Sequence, residues 1–76
     1  MKNSFGGLIV EKLLEKVPNE YESMFVSRKT DYFMIGVKKG LKQHKMAIPY
    51  IEIEEVKNME MYVAFIISEI ERKMQE

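Results

Sequence analysis

An α+β fold with α-β-β-β-α element order is predicted by three features of this 76-residue chain. Apolar residues recur at helical spacing near both ends, they alternate along the middle, and turn-forming residues separate the segments. These features give a three-stranded antiparallel meander sheet packed against an N-terminal helix and a longer C-terminal helix, with both helices on one face.

The first helix is expected from Ser4 or Gly7 to Val17. Ile9, Val10, Leu13, Leu14 and Val17 share one side, while Glu11, Lys12, Glu15 and Lys16 share the other. Ser4 is the expected N-cap, and Gly6-Gly7 weakens the first turn. Pro18 biases Val17 away from helical geometry and ends the helix, with Pro18-Asn19 opening a turn.

Tyr21 to Ser27 reads as the first strand, followed by a polar turn at Arg28-Lys29-Thr30-Asp31. In the second strand, Tyr32 to Lys38, Phe33, Ile35 and Val37 alternate with Tyr32, Met34 and Gly36. Lys39-Gly40 and the polar stretch to His44 are expected to form a hairpin loop. The third strand then runs from about Lys45 to Tyr50, with Pro49 at an edge or exit. Ile51-Glu52-Ile53-Glu54 alternates, although Ile53 and Val56 also suit one helical turn. A short strand extension followed by a turn is the expectation for 51–56.

Asn58 is the expected N-cap of the last helix, which runs to Gln75 with Glu60 in its first turn and Arg72-Lys73 in its last. Met59, Val63, Ile66, Ile67, Ile70 and Met74 form the side expected to meet the sheet. The same helix contains seven consecutive apolar residues, Met61 to Ile67, more than one face needs. Met61 and Phe65 lie nearly opposite the core side at (i, i+4) spacing, with Ala64 and Ser68 small enough to admit another surface. Tyr62 points to a flank, where a neighbouring helix would lie.

Length and composition limit the classes of function. A chain this short forms one domain that buries only about 60% of its unfolded surface. With no cysteine, it has no disulfide scaffold, thiol nucleophile or thiolate metal site, which fits a cytoplasmic chain. No export signal or membrane anchor is expected, because the longest apolar run is far short of a span. Net charge is zero but unevenly placed: residues 1–27 carry −1, residues 28–45 carry +5 and residues 46–76 carry −4.

Catalytic chemistry has little to draw on. His44 is the sole histidine, so no two-histidine metal motif exists, and it is expected in a solvated loop. Glu52, Glu54 and Glu55 are the clustered carboxylates. On a strand Glu52 and Glu54 would share a face, where charged residues also discourage edge-to-edge pairing. No cofactor is expected. Core filling is expected of Met24, Met34, Met59 and Met74, and an interface role of Met61.

Lys38, Lys39, Lys42, His44 and Lys45 are candidate contacts for phosphate groups or an acidic partner. Tyr21, Phe25, Tyr32 and Phe33 on neighbouring strands are aromatic groups of the kind that stack bases. The element order is similar to that of double-stranded RNA-binding domains. That family grips phosphates with a lysine cluster opening its second helix, whereas the matching stretch Val56-Lys57-Asn58-Met59-Glu60 has one lysine and an acid. The resemblance is one of element order.

The reading favoured by the sequence is a small non-enzymatic protein-interaction module, an adaptor, inhibitor or regulator. It is expected to be homodimeric through Met61, Phe65, Ala64, Ser68 and Tyr62 of the last helix, and to bind another protein. Compact, cysteine-free chains without catalytic residues are common among accessory proteins of mobile elements such as phages, and this composition is of that kind. The alternative is a nucleic-acid-binding protein acting through the basic Lys38 to Lys45 loop.

Overall fold

The computed structural model describes residues 4–76. Its elements run α1 (Ser4–Leu14), β1 (Ser23–Arg28), β2 (Tyr32–Lys39), β3 (Lys42–Pro49), α2 (Tyr50–Glu54) and α3 (Met59–Gln75). The three strands form an antiparallel meander in the order β1-β2-β3. The α+β class and the α-β-β-β-α order expected from sequence are present, with α2 as an added short helix.

Strand register assigns the two faces of the sheet. Phe33 pairs with Arg28 and Ile48, Ile35 with Val26 and Met46, and Val37 with Met24 and His44. These positions share the inner face, since paired residues point the same way. Phe33, Ile35, Val37 and Ile48 are buried there, together with Phe5, Ile9 and Leu13 of α1 and Val63, Ile66, Ile67, Ile70 and Met74 of α3. The helices cover that face alone. The opposite face carries Phe25, Met34, Gly36, Lys38, Lys45 and Ala47, of which only Gly36 is buried.

Helix α1 includes Ser4, the earlier of the two expected starts, and ends at Leu14, sooner than the expected Val17. Ser4 lies within the helix instead of capping it, so the residue before the helix falls outside the described residues. Packing overrides the two weak glycines. The Phe5 ring sits 5.3 Å from Phe33 and 5.6 Å from Tyr62, and a Cβ on Gly6 would lie 3.3 Å from the Phe33 ring. The buried side of α1 is therefore Phe5, Ile9 and Leu13 at four-residue steps. Leu14, expected in the core, is 55% exposed because it lies a further 100° around the helix.

The β2–β3 loop contracts to Gly40 and Leu41, since Lys39 pairs directly with Lys42. Gly40 has φ +62°, and positive φ at the first central residue alone is the pattern of a type II′ hairpin. The expected loop to His44 is corrected accordingly: Lys42, Gln43, His44 and Lys45 belong to β3. Strand β1 starts at Ser23, while Tyr21 precedes it as a buried core residue.

Residues 50–54 are helical, which overturns the expected strand extension. Pro49 ends the ladder, and Tyr50 turns back toward the β1–β2 connection. Its N–H donates to the Asp31 carbonyl at 3.0 Å, its hydroxyl donates to the Lys29 carbonyl, and its ring packs edge-on against Phe33 with centroids 5.2 Å apart. Asn58 caps α3 as expected, accepting from the Met61 N–H at 3.1 Å. Lys42 holds the other end of α3, donating from Nζ to the Met74 carbonyl at 2.9 Å. Lys16 pairs with Glu71 and tethers the segment after α1 to the same helix.

Candidate interaction surfaces

Helix α3 has two unlike sides. Val63, Ile66, Ile67, Ile70 and Met74 are buried against the sheet and α1, with Met59 half-buried beside them. On the far side Met61 is 69% and Phe65 57% exposed. Ala64 and Ser68 are exposed on that side too, so four of the five expected interface residues lie together on one solvent-facing surface. Tyr62 does not join them. It is half-buried against Phe5, and its hydroxyl donates to Glu52 Oε1 at 3.3 Å. Burial and the neighbouring Glu52 carboxylate raise the Tyr62 pKa above its ordinary value.

The basic residues do not form one loop cluster. Lys38 and Lys45 point to the open face of the sheet, while Lys39, Lys42 and His44 take the opposite parity. Lys42 is engaged with α3, as described above. His44 pairs with Val37 on the inner face, half-buried, with Nε2 enclosed and lacking a hydrogen-bond partner. The expected solvated loop histidine is thus corrected, because the tight turn draws it into the strand. Arg28 and Lys29 lie at the opposite end of the sheet, where the Arg28 guanidinium sits over the Phe33 ring at 5.7 Å.

The aromatic residues also divide. Tyr21 and Phe33 are in the core, whereas Phe25 and Tyr32 face the open side of the sheet. Met34, expected to fill the core, is half-buried on this open side. The Phe25 ring crosses the neighbouring strand above Gly36, filling the space where a Cβ would stand. No sequence signal within β1 alone identifies this contact. It requires the cross-strand register.

The chain matches no family model, no curated protein and no solved structure. Glu52 and Glu54, two residues apart on α2, diverge around the helix instead of sharing a strand face. Among the described residues, no group of three histidine, cysteine, aspartate or glutamate side chains is arranged to hold a metal ion. None of the described helices is long and apolar enough to cross a membrane.

A shallow cleft of about 460 Å³ lies where the end of α3 meets the sheet, lined by Glu20, Tyr21, Lys39, Glu71, Met74 and Gln75. The Tyr21 hydroxyl is buried without a hydrogen-bond partner, and burial raises its pKa. Glu71 is already paired with Lys16, whose own pKa is raised by that hydrogen bond.

Proposed function

We propose that this chain is a small non-enzymatic protein-interaction module that pairs with a second copy of itself along the free side of α3. In cells it would act as an adaptor, inhibitor or regulator of another protein. The observation that carries this reading is the exposure of Met61 and Phe65 together, one turn apart, on the side of a 17-residue helix that the core does not use.

Two further features favour a copy of this chain as the occupant. Ala64 and Ser68 are exposed beside Met61 and Phe65, so a second helix can approach closely. Antiparallel pairing about a two-fold axis through this patch would also oppose the dipoles of the two helices. A small domain with a limited core also gains stability from such burial.

Phe65→Glu places a charge within the patch and leaves the buried side of α3 unchanged. Sedimentation velocity should show a dimer for the parent and a folded monomer for the variant. Equal sedimentation of the two would overturn the reading.

A further inference from the structure

The open face of the sheet carries the cations Lys38 and Lys45 and no carboxylate, since the three strands contain no aspartate or glutamate, while Arg28, Lys39 and Lys42 take the other parity. Of the twelve acidic residues in the chain, four lie in 4–22 and seven in 50–76, leaving Asp31 in the β1–β2 turn. The strands themselves are therefore free of acid, with Glu22 just before β1 and Asp31 in the turn after it. A polyanion approaching the open face meets no carboxylate on any strand.

That face also presents an aromatic ring in a defined place. Phe25 is 40% exposed and rests over Gly36, the one position in β2 with no side chain to displace it. Lys45 is the direct cross-strand partner of Gly36, and Lys38 lies two residues further along the same strand. Both lysines are exposed, so a cation stands on each of two sides of the ring. Half-buried Met34 and Tyr32 continue the surface along β2 toward its other end.

From this arrangement we infer that the open sheet face binds single-stranded nucleic acid without strong sequence preference. One base stacks on Phe25, while Lys38 and Lys45 contact the flanking phosphates. Bases of a single strand are free to turn onto a flat face, and an aromatic ring accepts any of them. The face differs from the expected basic loop, because Lys39 and Lys42 point the other way. It is also independent of pairing through α3, whose free side is turned away from the sheet.

Fluorescence anisotropy with a labelled mixed-sequence RNA or DNA single strand of about ten nucleotides tests the inference, since one small fold covers about 4 to 16 nucleotides. The parent should bind, with affinity falling as salt rises by about 0.7 log units per log unit for each phosphate contact. Phe25→Ala should weaken binding about 5-fold to 150-fold, the range for losing one stacked base, and Phe25→Tyr should restore it. Should Phe25→Ala unfold, Lys38→Gln with Lys45→Gln keeps the test open, because both side chains are exposed. That pair should weaken binding and flatten the salt dependence, whereas Lys39→Gln should leave both nearly unchanged.

Absence of binding by the parent at low salt would overturn the inference. So would equal loss on Lys39→Gln and on the Lys38/Lys45 pair, or equally tight binding of an acidic peptide of matched charge. Phe65→Glu should bind the strand at least as tightly per protomer as the parent, so failure of the dimer and failure of this site are read separately.

Discussion

The Phe25 ring occupies the space above Gly36 so closely that a Cβ built on the glycine would lie 2.1 Å from Phe25 Cε1. The two residues are cross-strand partners, so the absent side chain of one makes room for the ring of the other. Neither residue is in the helix-covered core, yet each fixes the other's environment.

Gly36→Ala should therefore displace the Phe25 ring, and Phe25→Ala should remove that obstacle. A double-mutant cycle by chemical denaturation is expected to give a coupling of about 0.5 to 3 kcal/mol, with the double variant more stable than the two single effects predict. Strict additivity would mean that the ring moves aside without cost.

Ile66 and Ile70 are 3% and 1% exposed on the buried side of α3. Ile66→Ala or Ile70→Ala should each cost roughly 2 to 5 kcal/mol, enough to unfold a domain of this size or lower its thermal midpoint severely. Changes below about 0.5 kcal/mol at either site would contradict the packing described.

Much of this core was legible in the sequence because the pattern was long. Over the 17 residues of α3, Val63, Ile66, Ile67, Ile70 and Met74 keep one helical phase, and Phe33, Ile35 and Val37 keep one strand phase. Residues 50–54 were not legible, since their apolar spacing suits both a strand and a helical turn. Long-range bonds from Tyr50 to Asp31 and Lys29 decide between them.

The candidate surfaces were legible in unequal measure. Met61 and Phe65 followed from helical phase alone. Separation of Lys38 and Lys45 from Lys39, Lys42 and His44 depended on the two-residue length of the Gly40-Leu41 turn, which sets strand parity. Phe5 was missed because the adjacent glycines signalled a weak helix start, while its packing against Phe33 and Tyr62 supplies the stability that local propensity lacks.

Alkaline titration should destabilise the fold. The hydrogen bond from Lys16 to Glu71 raises the lysine pKa, and burial raises those of Tyr21 and Tyr62. In each case the folded state holds its proton more tightly than the unfolded state. Their stabilising contribution is fully present below the unfolded values, near pH 10, and is lost as pH rises through the higher folded values. Thermal midpoints followed by circular dichroism should fall above about pH 10, and Lys16→Met should reduce the lysine part of that fall. A midpoint that rose with pH in this window would contradict the assigned directions.

The central claim is that the free side of α3 joins two copies of this chain. The most direct measurement is the molar mass of the unmodified protein by light scattering across a dilution series reaching tens of micromolar, an order of magnitude at which modest interfaces become populated. The account predicts a mass that rises from one chain of 9.0 kDa toward two as concentration increases. A mass that stays at 9.0 kDa throughout the series would contradict it.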